Sequence, residues 1–202
     1  MLTRLQVDGF KNLRAVDLRL GQLTCIAGRN GVGKSNLFDA IAFLSDLASM
    51  PLVDAATQVR GTGGRLSGIR QLFGRYGQAA RRLKLSAEMI VPQTVFDDFD
   101  RKAVATATCL RYSISLIFEA AASQRDDGQA PRVETEELTA LSLAAVTEPL
   151  KFRPSKSWRA RCLKGPGART SPFISTVTGD TIKLWGDKGT GGRPLIAFVC
   201  AA

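Results

Sequence analysis

The sequence predicts an α/β fold: a strand, a glycine loop and a helix at the N-terminus, joined to an antiparallel β-lobe. Three observations predict it. A short apolar run, Leu23-Thr24-Cys25-Ile26-Ala27, leads into the glycine-rich stretch Gly28 to Gly33. Apolar residues then recur from Asn36 to Ser49 at Leu37, Ile41 and Leu44, with Phe38, Ala42 and Phe43 beside them, which is the spacing of an amphipathic helix. Farther on, residues 83–91 and 106–119 alternate apolar and polar side chains, the period of a half-buried strand.

Each element follows in chain order. Leu2-Thr3-Arg4-Leu5-Gln6-Val7 alternates and reads as the first strand, and Asp8-Gly9 turns the chain. Ala15 to Leu20 alternates again, so the opening is a hairpin-type pair, broken at Gly21. Leu23 to Ala27 is nearly continuous in apolar side chains, as a strand covered on both faces of a sheet is. Pro51 falls just past the helix over 36–49. Residues 61–78 carry Gly61, Gly63, Gly64, Gly68, Gly74 and Gly77 with Arg65, Arg70 and Arg75, and read as a loop with a short helical turn at Ile69 to Phe73. Leu83 to Val91 is a strand ended by Pro92. Thr106 to Glu119 is the clearest strand of the middle region, with Tyr112, Ile114, Leu116 and Phe118 on one face.

Ser123 to Arg132 is a polar loop. Val133 to Leu143 reads as a further strand, and its Glu134-Thr135-Glu136-Glu137 reads equally as a helix start. Residues 151–170 are basic and irregular. Ile174 to Leu184 reads as a hairpin turning at Thr178-Gly179-Asp180, and Lys188 to Pro194 is glycine-rich. Three parts result: a core portion over 1–60, a linker and antiparallel β-lobe over 61–150, and a basic, glycine-rich segment with a hairpin over 151–202.

Composition narrows the class. The chain has 202 residues, 45% apolar and 23% charged, the profile of a globular protein with a real core. No run approaches the roughly 18 apolar residues of a membrane span, and Met1-Leu2-Thr3-Arg4 lacks the apolar core of a secretory signal. Cys25, Cys109, Cys162 and Cys200 lie far apart with no CxxC pair. That pattern argues against a zinc site or a disulfide framework and for a reducing cytoplasm. There is no histidine, which excludes Ser-His-Asp and Cys-His catalysis.

The net charge of +10 is unevenly placed, with ten Lys and Arg against two Asp in residues 151–202. Residues 151–169 hold Lys151, Arg153, Lys156, Arg159, Arg161, Lys164 and Arg169 and no acid, with Phe152 and Trp158 among them. A basic stretch of this kind attracts polyanions, and an aromatic between cations can stack on a base. The expected partner is DNA or RNA, contacted without regard to sequence. A solvated flank, or a surface that docks on another part of the protein with Trp158 in the core, is the other reading.

One motif carries chemistry. Gly28-Arg29-Asn30-Gly31-Val32-Gly33-Lys34-Ser35 matches GxxxxGK[ST] at every fixed position, between an expected strand and an expected helix. The glycines let successive backbone N–H groups point at phosphates, and the following helix aims its N-terminal amides at the same anion. Lys34 is expected to reach the β- and γ-phosphates, and Ser35 to supply an oxygen to Mg²⁺. Asn30 braces the loop or touches the γ-phosphate. The expected ligands are ATP and Mg²⁺.

Phe10-Lys11-Asn12-Leu13 between two strands, followed by Cys25 to Ser35 and then Asn36-Leu37-Phe38-Asp39-Ala40-Ile41, resembles the start of AAA-family ATPases of the SMC/RecF/OLD type, which are ABC-class P-loop proteins. The strong resemblance covers residues 1–50, and a weaker one covers 83–143. It implies a P-loop NTPase half-core of the ABC class with an antiparallel β-lobe beside the nucleotide. It implies that Lys11, Asn12 and Asn36 lie near the nucleotide, and that the complete protein hydrolyses ATP as a homodimer. A kinase or GTPase fits less well, because no Asn-Lys-x-Asp guanine motif is present.

The chain departs from that family in several places. The family's second acidic motif, an apolar strand ending in Asp-Glu, has no counterpart, since Leu116-Ile117-Phe118-Glu119 lacks the Asp. Leu66-Ser67-Gly68-Ile69-Arg70-Gln71 echoes the signature loop with one residue too many. A switch histidine cannot exist here, and Gln71 or Gln78 is the candidate metal-contacting glutamine. Catalytic residues are therefore unassigned. The apolar ending Leu195 to Ala202 has no cap or polar tail and reads as the end of an N-terminal half. The alternative is a non-catalytic module that binds nucleotide or nucleic acid.

Overall fold

The computed structural model describes residues 1–74, 80–96, 100–119, 130–147, 150–177, 181–184 and 193–196. β1 (Leu2–Asp8) and β2 (Val16–Arg19) form the expected opening hairpin, with Leu5 opposite Leu18. α1 (Lys34–Asp46) follows the glycine loop, and α2 (Leu52–Gln58) and α3 (Leu66–Ile69) complete a helical cover, with a 3-10 turn at Arg70–Leu72. β3 (Ala80–Ile90) pairs with β1 on one side and with β6 (Cys109–Glu119) on the other. A small hairpin, β4 (Thr94–Phe96) and β5 (Lys102–Val104), lies between them in sequence and forms its own two-stranded sheet. Then come β7 (Arg132–Ala140), α4 (Leu143–Thr147), α5 (Lys156–Cys162), β8 (Ile174–Val177), β9 (Thr181–Leu184) and β10 (Arg193–Ile196). The large sheet has eight strands in the order β10-β9-β8-β7-β6-β3-β1-β2, antiparallel throughout.

Alternation decides what this sheet buries. Leu5 and Val7 of β1, Leu83 and Leu85 of β3, and Ile114, Leu116 and Phe118 of β6 point to one face and are buried. Leu37, Ala40 and Phe43 of α1, Ala55 and Ala56 of α2, and Ile69 of α3 close over them. The Phe10 and Phe43 rings lie 6.0 Å apart, and each side chain of this size contributes about 1.5–3 kcal/mol on full burial. The opposite face is polar. There Glu88, 4% exposed, accepts from Arg4 and Arg111 at 3.2 and 2.7 Å. A second, smaller core of Ile90, Cys109, Leu141 and Val146 lies at the other end of β3 and β6, with Trp158 and Leu163 against it.

Two expectations are corrected. Leu23 to Ala27 is not a strand, and Leu23 is 93% exposed. An apolar run becomes a buried strand only between two neighbours, and β2 has ended at Arg19. Among the described residues nothing pairs with this segment. Residues 151–170 are not irregular throughout, because α5 forms there with Ser155 as its cap, its Oγ accepting from the Trp158 N–H at 3.1 Å. The ambiguity over 133–143 resolves as strand. β7 pairs along β6 with one extra residue, Glu134, where the register shifts. Ser115 Oγ donates to Glu134 at 2.7 Å and Arg82 reaches it at 2.5 Å, so the hydroxyl first and the guanidinium second hold this carboxyl below its usual range.

Gln78, Arg75, Gly77, Ser123 to Gly128, the turn Thr178-Gly179-Asp180, Lys188 to Gly192 and the ending after Ile196 lie outside the described residues. Among the described residues no helix is long and apolar enough to cross a membrane.

Candidate functional site

The glycine loop rises from the exposed segment after Gly21 and ends where α1 begins. Gly31 and Gly33 adopt φ of +82° and +110°, backbone that glycine enters without a Cβ penalty. At Gly33 a Cβ would also sit 2.8 Å from Asn12 Oδ1 and 3.1 Å from Leu13, so the loop closes tightly on the preceding turn. Lys34 folds back over the loop, its ammonium donating to the Gly28 and Arg29 carbonyls at 2.6 and 2.8 Å. Arg29, Asn30, Val32 and Ser35 are exposed. The first amides of α1 have no partner within the helix, and its first turn holds no acidic residue.

The Phe10-Lys11-Asn12-Leu13 turn lies beside this loop. It is pinned by a Leu13 N–H donating to the Phe10 carbonyl at 2.8 Å and a Lys11 N–H donating to the Leu72 carbonyl at 2.7 Å. Asn36 Nδ2 donates to Asn12 Oδ1 at 2.7 Å, so one amide pair ties the turn to the first turn of α1. Lys11 stands at φ +50°, and its ammonium donates to Asp39 and to the Arg60 carbonyl, each at 2.6 Å. Arg60 also meets Asp39 at 3.0 Å. A cleft of about 470 Å³ opens here, with Lys11, Asn12, Asn36, Arg60 and Gln71 on its walls.

The structure therefore brings together Gly28 to Asn36 with Lys11 and Asn12, and it sets Gln71 on the same cleft. It does not bring Leu116 to Glu119 there as a free acidic strand, because those residues run inside β6. Leu66 to Gln71 forms α3 and the 3-10 turn. Sequence reasoning missed Asp39 and Arg60 as partners of Lys11. The signal for Asp39 lay in its place one turn beyond Ser35, which sets it on the same side of α1. Among the described residues no group of three or more Cys, Asp or Glu gathers as a metal site.

Comparison with known proteins bears on this region. Residues 23–94 match the family described as AAA domain, putative AbiEii toxin, Type IV TA system. The DNA replication and repair protein RecF of Bacteroides fragilis is 46% identical over 46 residues, 22% of this chain and 12% of that protein. The OLD nuclease of Thermus scotoductus is 54% identical over 41 residues, 20% of this chain and 8% of that protein. The N-terminal region is thus similar to AAA-domain, RecF and OLD proteins. RecF of Paenarthrobacter aurescens adds 43% identity over 49 residues, 24% of this chain and 12% of that protein. The AAA-type region thus contains the glycine loop and α1, and the matched stretches span a small part of each relative's length.

Proposed function

We propose that this chain binds Mg-ATP at the glycine loop, as the N-terminal portion of a cytoplasmic ATPase whose complete form hydrolyses ATP to ADP and phosphate as a dimer. One convergence carries the reading: the Gly31 and Gly33 bends, the open N-terminus of α1 and the Lys34 ammonium meet at one place. Exchanging two neutral carbonyls for phosphate oxygens turns the bonds of Lys34 into doubly charge-assisted ones. The α1 amides would receive the phosphates, with Arg29, Asn30 and Val32 lending loop backbone. The exposed Ser35 hydroxyl fits as a Mg²⁺ ligand, and the ion would supply charge neutralisation at the phosphates. Lys11, Asn12 and Asn36 would line the nucleotide from the cleft side, with Gln71 of the same cleft as the metal-contacting glutamine. Titration with a fluorescent ATP analogue and Mg²⁺ should give saturable binding, reversed by unlabelled ATP and weakened by chelator. No saturation up to about 1 mM, a binding free energy of only about 4 kcal/mol, sinks the reading.

Hydrolysis by this chain alone is expected to be slow. Asp39 is 14% exposed and held by both Lys11 and Arg60, so it is not free to activate water. Losing water activation costs orders of magnitude in rate. Phosphate release assays should show turnover well below the roughly 1 s⁻¹ of competent enzymes. A faster rate would reveal a catalytic carboxylate in the chain.

A second reading concerns the partner. The relatives are named for DNA replication and repair and as a nuclease. Lys151, Arg153, Lys156, Arg159 and Arg161 are all exposed. Together these favour a nucleic-acid contact, DNA or RNA, that does not read sequence.

A further inference from the structure

The basic stretch over 151–164 is bolted to the fold by one side and leaves its charges on the other. Trp158 packs against the second core and meets Phe152 edge-on, ring centroids 5.4 Å apart at 87°. Thr108, fully buried, clasps the end of α5: its Oγ1 donates to the Cys162 carbonyl at 2.8 Å and accepts from the Lys164 N–H at 2.7 Å. Its own N–H donates to the Lys164 carbonyl at 2.9 Å. Lys164 Nζ donates to the Ala105 carbonyl, and Arg169 turns onto the Phe173 ring and the Ser171 carbonyl. Those two cations are engaged by the fold's own carbonyls and ring. Lys151, Arg153, Lys156, Arg159 and Arg161 remain exposed, and among the described residues none of the five makes an ion pair or side-chain hydrogen bond. Five like charges on one short segment repel one another, so the surface gains most from a partner of dense negative charge.

We infer that α5 and the strap before it form a docking surface for the phosphate backbone of duplex DNA. The inference rests on the nucleic-acid reading above and specifies its place and form. Single-strand platforms stack bases on exposed aromatic rings, and here both rings are half-buried, with Trp158 packed against the second core and edge-on to Phe152. This reverses the expectation that Trp158 stacks on a base. A membrane-binding segment would need exposed apolar side chains beside its cations, and α5 exposes Lys156, Ser157, Arg159, Ala160 and Arg161. Duplex DNA offers one charge per about 1.7 Å of axis. The contact carries no base-edge readout, because phosphate contacts position without specifying.

The test uses the full chain and labelled duplex DNA across roughly 50–200 mM salt. Five phosphate contacts predict a slope of log K against log salt near −4.5, about 0.9 per contact. The triple variant Lys156→Ala, Arg159→Ala and Arg161→Ala should bring the slope to about −1.8. Lys102→Ala, exposed on β5, should leave it unchanged, and oligo-dT should bind at least about tenfold more weakly than duplex. Duplex binding that the triple variant leaves intact overturns this surface while nucleic-acid binding stands. Tighter binding of oligo-dT or of duplex RNA overturns the choice of duplex DNA. Binding of anionic vesicles but not of nucleic acid, or of neither, overturns both readings.

Discussion

Lys34→Ala is expected to abolish binding of a fluorescent ATP analogue. Bonds from a charged group contribute about 1.5–3 kcal/mol each. Losing two of them at the phosphates costs about 3–6 kcal/mol, a weakening of roughly 150-fold or more. The fold should survive, because among the described residues the Lys34 ammonium hydrogen-bonds to the Gly28 and Arg29 carbonyls of its own loop, and Lys34 takes no part in the described core. Thermal unfolding of the variant should therefore overlay that of the parent while the titration goes flat. Retained binding with an unchanged melt would put the nucleotide elsewhere. Lost binding with a collapsed melt would show that Lys34 holds the loop itself.

How much of this was legible depends on how local the cause was. β1, β2, β3 and β6 were readable because a period of two over several residues has one cheap solution, a sheet with one face covered. α1 was readable because Leu37, Ile41 and Leu44 recur at helical spacing, although the residues it buries are Leu37, Ala40 and Phe43. Leu23 to Ala27 failed because a buried strand is a property of its neighbours. α5 is too short and too basic to show an apolar period, and its one local signal is Pro154-Ser155 ahead of Lys156, a helix start. α2 carried a similar one, with Pro51 at its cap and Asp54 in its first turn.

The candidate site divides in the same way. The glycine loop is a contiguous string, so its match to GxxxxGK[ST] could be read from spacing alone. The Lys11, Asp39 and Arg60 cluster joins residues 28 and 21 positions apart, and only the folded chain brings it together. The Trp158 ring could be read from sequence either as a base platform or as core. Its packing against the second core, with the edge-on contact to Phe152, favours core.

Gly9→Ala is expected to be strongly destabilising. Gly9 ends the alternating stretch of β1 at φ +80°, and an added Cβ would lie 2.3 Å from the Arg82 carbonyl oxygen and 3.5 Å from the Leu83 Cα. The oxygen belongs to the backbone of β3, the strand that pairs with both β1 and β6, so it cannot swing away as a side chain would. Gly9 also accepts from the Gly74 N–H at 2.8 Å and donates to the Leu13 carbonyl at 3.0 Å. Relieving the clash thus pulls on the Phe10-Lys11-Asn12 turn. Gly31→Ala supplies the control, because Gly31 has nearly the same φ, +82°, with nothing within 4 Å of the added atom. That variant isolates backbone strain, about 1–2 kcal/mol. Gly9→Ala adds the steric cost and should exceed about 4 kcal/mol, in the range of the most damaging single substitutions. Urea unfolding of the two variants measures the difference directly, with the midpoint shift scaled by a common slope. Nucleotide titration should follow it, weakened in Gly9→Ala as Asn12 loses its place against Asn36. Equal unfolding midpoints for the two variants would mean that β1 and β3 do not approach as closely as the structure has them.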